Sequence, residues 1–388
     1  MRDGVRRVQV PLAALMVLGV AALPFLRHAR NRLISGQPIG IGATIAAAPG
    51  PALALAGAAL LLLAPALRPG LERARWAGLA GTGLALAAGA ALAGRMAAHL
   101  ATAASASART SLGPGAWVLL ALVLLLGSDT ARRLQLSGWR AFAAAALAIG
   151  PLAILLWSGE LHQLALLREY AAQRGPFHAA LQRHLLLVAG ALVPALLIGL
   201  PLGVAAQRRA GVRRVAMPVL NLVQTVPSIA LFGLLIGPLS VLGSAVPVLG
   251  RFGVAGVGPA PAIIALVLYS LLPIVRNTLE GLEGVGPELR DAARGMGMTG
   301  RQVFWRVEAW LALPVVLSGL RVTTVQAIGL AAVSALIGAG GFGAIIFQGL
   351  FANALDLVVL GALPVIALAI VVDLGFRALT VWAQGALT

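Results

Sequence analysis

The 388-residue sequence is 60% hydrophobic and 11% charged, and its 29 basic residues, all arginine, outnumber its 12 acidic residues to give a net charge of +17. The apolar share exceeds the roughly 45–50% of a soluble domain, which indicates a chain that crosses a membrane repeatedly. The arginines lie in short segments beside apolar runs, as in membrane proteins, which argues against nucleic-acid binding. The absence of cysteine excludes disulfides, thiol catalysis and cysteine-bound metal.

The apolar segments predict the fold class. A membrane-spanning helix needs about 20 mainly apolar residues. We predict an all-α, polytopic integral membrane protein with about ten spans, at residues 9–26, 43–67, 76–98, 115–127, 139–158, 184–206, 215–239, 259–275, 312–336 and 356–376. The first span is interpreted as a retained helix rather than a signal peptide, because no convincing small-residue cleavage site follows it and further spans come at once.

The arginine distribution predicts the orientation. An even number of spans, such as ten, places both termini on the same side of the membrane. The segments between spans and at the termini on that side carry 19 arginines, and those on the opposite side carry 9. Basic residues are retained on the cytoplasmic side, so the N-terminus and the C-terminus are both predicted to be cytoplasmic. Three arginines at residues 27–32 run against this bias in the N-terminal half.

The chain divides into regions of different character. Residues 1–158 form extra transmembrane helices that are rich in Ala, Leu and Gly and carry no motif, and residues 159–183 are predicted to form an amphipathic linker. Residues 184–388 carry polar side chains inside spans, helix-interrupting prolines and one long charged loop at 276–313. The functional residues are therefore expected in the third region.

The charged loop is too polar to span a membrane, and its sequence predicts a short helix. Pro287 suits the first turn, and Glu288 beside it suits the positive end of the helix. Gly295 and Gly297 can end the helix through positive φ angles, and a new helix is predicted to begin near Thr299. A short helix with a small-residue face suits docking into a partner, with an ordinary cytoplasmic loop as the alternative.

This loop resembles the "EAA" loop of ABC importer permeases, whose pattern is an acidic residue, two alanines and a glycine. The matching residues are Asp291, Ala292, Ala293 and Gly297. The resemblance implies that this helix, with Glu288 and Gly295, couples the permease to an ATP-binding subunit. The family pattern continues with an aliphatic residue, one spacer and a Leu-Pro pair. In this sequence Val307 and Glu308 are followed by Ala309 and Trp310 instead, and a Leu-Pro pair comes four residues later at Leu313-Pro314.

Further segments resemble the glycine betaine/choline/carnitine (osmoprotectant) branch of this family over roughly residues 180–380. These segments are residues 221–228, 272–278, 290–298, 325–327 and 336–343. The resemblance implies a type I-like permease core at 184–388 in a bacterial inner membrane, in an enlarged form with extra N-terminal helices. It also implies three partners: an ATP-binding cassette subunit that holds ATP and Mg, an extracytoplasmic solute-binding protein, and a second copy of this permease or a related one.

Polar residues inside the spans predict a path for a small solute. Asn221, Gln224, Thr225 and Ser228 have the i, i+3, i+4, i+7 spacing of one helical face, and Pro227 interrupts the backbone ladder beside them. Lipid does not solvate such side chains, so they face protein or water, with hydrogen bonding between helices as the alternative. The full set predicted to line the path is Asn221, Gln224, Thr225, Ser228, Asn277, Thr323, Thr324 and Gln326.

Two other features carry predictions. Arg321 is the one clear charge predicted inside a span. Either it reaches the cytoplasmic end of the span or it pairs, with Asp373 or the acidic loop residues as candidate partners. Pairing is favoured over contact with the solute. Gly340, Gly341 and Gly343 are predicted to form an external gate or a docking surface for the binding protein, with a plain reverse turn as the alternative. They do not form a phosphate loop, because no Walker lysine or βαβ unit accompanies them.

Enzyme functions find little support in the sequence. The five histidines show no metal-ligand spacing, and the carboxylates in the spans are too scattered for a catalytic pair. We predict no catalytic residue, no metal site and no cofactor bound by this chain. An ion-coupled secondary transporter or channel is the alternative, but the spans offer no carboxylate cluster, and a purely structural scaffold leaves the charged loop unexplained.

Overall fold

A computed structural model describes residues 2–31, 34, 36–68, 70–103, 107–134, 139–246, 248 and 256–385. The chain forms two compact units, residues 1–172 and residues 173–388, called here the N-terminal and C-terminal units. Among the described residues, eight helices are long and apolar enough to cross a membrane.

The N-terminal unit is built around one long central helix. Its helices are α1 Arg2–Ala22, α2 Ile41–Ala47, α3 Pro49–Leu67, α4 Glu72–Ala103, α5 Pro114–Leu134, α6 Trp139–Ser158 and α7 Ala165–Ala172. Helix α4 packs against α3, α5 and α6. Gly81 and Gly83 on α4 leave no room for a side chain against the backbones of α3 and α6, as is common where membrane helices approach closely.

A small antiparallel sheet joins the loops of the N-terminal unit, and the sequence did not predict it. Strand β1 (Leu26–Ala29) lies between β2 (Gln37–Ile39) and β3 (Arg109–Leu112). Arg109 of β3 pairs at 3.6 Å with Glu169 of α7, which is buried. The sheet therefore joins the connection between α1 and α2 to the connection between α4 and α5, and the Arg109–Glu169 pair links it to α7.

The regular elements of the C-terminal unit are all helical among its described residues. Its elements are α8 Arg174–Arg208, α9 Ala210–Thr225, α10 Ser228–Ala245, α11 Pro259–Glu283, α12 Pro287–Gly295, α13 Gly300–Val303, a π-helical segment Phe304–Glu308, α14 Ala309–Val333, a 3₁₀ turn Ser334–Ile337, α15 Phe342–Phe351 and α16 Leu355–Gly385. Helix α11 packs against α8 and α14, and α16 packs against α14 and α15. An apolar cluster that includes Leu187, Leu266 and Ile328 joins α8, α11 and α14.

The helices differ from the predicted spans in two ways. The spans at 9–26 and 139–158 correspond to apolar stretches of only 15 and 17 residues in α1 and α6, Val8–Ala22 and Phe142–Ser158. The span at 215–239 is not a single helix: α9 ends at Thr225 and α10 begins at Ser228. Pro227 lacks the N–H that would continue the ladder, so the helix breaks there.

Candidate coupling loop and translocation path

The loop helix predicted from the sequence is present. Helix α12 has Pro287 at its first position and Glu288 in its first turn. Its last residue is Gly295, and Gly297 then takes φ = 81°, a left-handed value that suits a glycine. The next helix begins with a capping box between Thr299 and Gln302, as expected for a start near Thr299.

Besides its charged residues, the exposed surface of α12 carries an apolar stripe that extends to Met296, the residue after the last helical position. Leu289 is 51% exposed and Met296 is 72% exposed, and the exposed Ala292 lies between them at i, i+3 and i+7 spacing. Ala293, which the resemblance placed in the docking set, is 2% exposed and packs into the loop itself. The sequence placed Leu289 on this helix, but neither Leu289 nor Met296 was among the residues predicted to couple, although their helical spacing was the signal that identifies them.

Acidic residues border this stripe. Glu288 and Asp291 are exposed, and Asp291 pairs with Arg294 at 3.4 Å within the same helix. The helix therefore presents apolar side chains flanked by charges, an arrangement typical of helices that dock in a groove of a partner protein.

The structure divides the four-residue polar face between two helices. Asn221, Gln224 and Thr225 belong to α9, whereas Ser228 is the first residue of α10. Asn221 and Thr225 are exposed, and Ser228 is half-buried. The single-helix face assumed from the spacing is therefore wrong, because the break at Pro227 ends the helical repeat before Ser228.

Tyr269 of α11 makes two hydrogen bonds to residues at this break, and this tyrosine was not among the residues predicted from the sequence. The side chain of Gln224 donates to the Tyr269 carbonyl at 2.9 Å, and the Tyr269 hydroxyl donates to the Val226 carbonyl. Thr225 Oγ1 donates to Leu222 O at 2.7 Å. A buried tyrosine inside an apolar span needs a hydrogen-bond partner, and that requirement was the available signal.

The other predicted path residues lie at or near the crossing of α11 and α14. Thr323 and Thr324 are buried and donate to carbonyls of their own helix at 2.9 and 2.8 Å, while Gln326 is exposed. Asn277 donates to Pro273 O at 2.8 Å and lies against Gly319 of α14, where a larger residue would collide. The hydroxyls of Thr323 and Thr324 thus make hydrogen bonds within α14 itself, and of these three α14 residues Gln326 is the exposed one.

The glycine segment before α15 is a tight, left-handed turn. Gly338, Gly340 and Gly341 have φ angles of 78°, 82° and 76°. Gly343, already in α15, lies against the Ala332 carbonyl with no space for a side chain. Arg183 Nε of α8 donates to Ala339 O at 3.0 Å, so α8 holds the turn in place.

The predicted pairing of the charge inside α14 is confirmed. Arg321 Nε lies 3.7 Å from Asp373 Oδ1 of α16, and Asp373 also pairs with Arg377 at 2.7 Å. This network compensates the charge of Arg321 within a helix that spans the apolar layer. Among the described residues, no group of His, Cys, Asp and Glu could hold a metal ion.

Two family models match the chain in tandem. Residues 6–167 match "ABC transporter permease YehY, N-terminal domain", and residues 195–381 match "Binding-protein-dependent transport system inner membrane component". Among solved structures, a chain of the MetNI methionine ABC transporter is 21% identical with a TM-score of 0.47, covering 53% of this chain and 95% of that one.

Curated relatives include the osmoprotectant import permease OsmW of Salmonella typhimurium, 43% identical over 49% of this chain and 84% of its own length. The OpuCB permease of the glycine betaine/carnitine/choline system of Bacillus subtilis is 38% identical over 49% of this chain and 80% of its own. The choline permease OpuBB of the same species is 38% identical over 47% and 77%. The resemblance noted in the sequence is confirmed, and the chain belongs to the family of inner-membrane permease subunits of binding-protein-dependent ABC importers, in which a separate subunit hydrolyses ATP.

Proposed function

We propose that this chain is the permease of an importer for osmoprotectants such as glycine betaine, choline or carnitine. The observation that carries the proposal is the identity of 38–43% with permeases whose names specify those solutes. Helix α12 docks on an ATP-binding cassette subunit through Leu289, Ala292 and Met296. A solute-binding protein delivers the solute, and a second copy of this permease or a related one completes the path.

The polar groups of the C-terminal unit are compatible with such a solute. Asn221, Thr225, Ser228 and Gln326 are at least partly exposed and uncharged. An uncharged polar lining passes a molecule whose charges nearly cancel or a single small cation, and it lacks the carboxylates that bind metal ions. Selection of a quaternary ammonium group by cation–π contacts belongs in this scheme to the binding protein.

Uptake of radiolabelled solute tests the proposal. Cells expressing the whole transporter are given glycine betaine, choline and carnitine in turn, with amino acids and metal ions as competitors. We expect ATP-dependent uptake of at least one methylammonium compound. Uptake of a metal ion or an oxyanion, without any methylammonium compound, contradicts the substrate assignment.

We also propose that both termini are cytoplasmic and that residues 1–158 are extra helices that can be separated from a transport core at 184–388. The chain contains no cysteine, so single cysteines can report the orientation. Arg301→Cys in the α12–α14 region and Gln163→Cys before α7 are both at exposed positions. An impermeant maleimide added to intact spheroplasts should label Gln163→Cys and spare Arg301→Cys, and the reverse pattern contradicts this topology.

A further inference from the structure

Glu308, directly before the point at which this sequence departs from the family pattern, takes part in a contact that joins three elements. Its carboxylate lies 2.7 Å from Arg290 Nε of α12, and the two side chains are 13% and 21% exposed. Arg290 Nη2 also donates to Leu282 O, in the last turn of α11, at 2.6 Å. One guanidinium therefore connects α12 to the end of α11 and to the entry of α14.

The backbone around Glu308 is unusual as well. Residues Phe304–Glu308 form a π-helical segment that runs directly into α14. Such turns are rare and occur often at functional sites. The guanidinium of Arg208, at the end of α8, lies 4.8 Å from the ring centroid of Phe304. The ends of α8 and α11 and the start of α14 thus meet beside α12.

Other ion pairs in this loop differ from the Arg290–Glu308 pair. Arg276 and Glu280 pair at 2.8 Å within α11, with side chains 60% and 51% exposed. Exposed pairs of this kind contribute little and connect nothing beyond their own helix. The Arg290–Glu308 pair is largely shielded from water, where the attraction between opposite charges is stronger than at the surface, and it bridges separate elements.

We propose that Arg290 and Glu308 are positioning residues for coupling, which transmit the movement of α12 to the spans α11 and α14. The proposal rests on the docking of α12 described above. Leu289, on the docking stripe, is adjacent to Arg290 in the chain, so a displacement of the stripe moves the guanidinium with it. Arg290 donates a hydrogen bond to Leu282 O and pairs with Glu308. The end of α11 and the start of α14 therefore move together with α12.

The test compares Glu308→Gln and Arg290→Lys with the matched control Glu280→Gln. The whole transporter, with its ATP-binding subunit and binding protein, is placed in proteoliposomes. The measured quantity is the coupling ratio, which is the amount of radiolabelled glycine betaine or choline taken up per ATP hydrolysed. Couplings between two sites commonly amount to about 5- to 150-fold. We expect the ratio to fall about fivefold in Glu308→Gln and less in Arg290→Lys, which keeps the charge, while the control stays at the wild-type ratio.

The outcomes separate coupling from folding. Membrane insertion and co-purification of the ATP-binding subunit should be retained in both variants. A wild-type ratio in both variants overturns the proposal, and so does loss of insertion in both, because the pair would then hold the fold. A wild-type complex that lacks an ATP-binding subunit or takes up no methylammonium compound instead overturns the proposed function, and the coupling role with it.

Discussion

The hydrogen bond from Tyr269 to the break between α9 and α10 gives a quantitative prediction. Tyr269→Phe removes only the hydroxyl that donates to Val226 O and leaves the ring, which is 5% exposed, in place. Side-chain hydrogen bonds in membrane proteins contribute about 0.6 kcal/mol on average and up to about 1.7 kcal/mol. This bond is partly buried and stabilises a helix break, so we expect about 1 kcal/mol, which changes an equilibrium about fivefold.

The expected result is a fall of about fivefold in the uptake rate at equal amounts of inserted transporter, because the bond fixes how α9 and α10 present Asn221 and Ser228. Ser244→Ala is the control, since Ser244 donates at 2.9 Å to Val241 O inside α10 itself. Uptake is measured with radiolabelled solute and abundance by immunoblotting of membranes. Equal uptake rates for Tyr269→Phe, the control and the wild type would refute the role given to Tyr269.

Three further predictions concern the loop and the N-terminal unit. Met296→Glu should reduce co-purification of the ATP-binding subunit while leaving insertion intact, because it places a charge on the apolar stripe; unchanged co-purification would contradict docking by this face. Gly297→Val forces a β-branched residue to φ = 81°, at a cost of at least about 1–2 kcal/mol, and should abolish uptake without removing the protein from the membrane. A chain that begins at Gln173, the first residue of the C-terminal unit, should still insert and bind the ATP-binding subunit, and loss of both would show that the N-terminal helices belong to the transport core.

The sequence predicted best the features that depend on local chemistry. Pro287 and Gly297 delimit α12 because proline and glycine restrict or permit backbone angles wherever they occur. The pairing of Arg321 with Asp373 was predictable because few charges lie inside spans and each needs compensation there.

Features that depend on contacts between distant segments could not be predicted in the same way. Hydropathy is continuous across Pro227, and membrane helices often tolerate proline, so the break between α9 and α10 was hidden. The strands of the small sheet have only three or four residues, too few for a recognisable alternation. The inward position of Ala293 and the contact between Arg290 and Glu308 follow from how the loop folds back on itself.

The central claim is that this chain works as a permease driven by an ATP-binding subunit docked on α12. Purification of the chain from its native membrane in mild detergent, followed by native mass spectrometry, tests it most directly. We predict a complex that contains an ATP-binding cassette subunit, and the loss of that subunit from the Met296→Glu variant. A chain that is purified without any ATP-binding subunit, and that still takes up solute in ATP-free vesicles, would contradict the account.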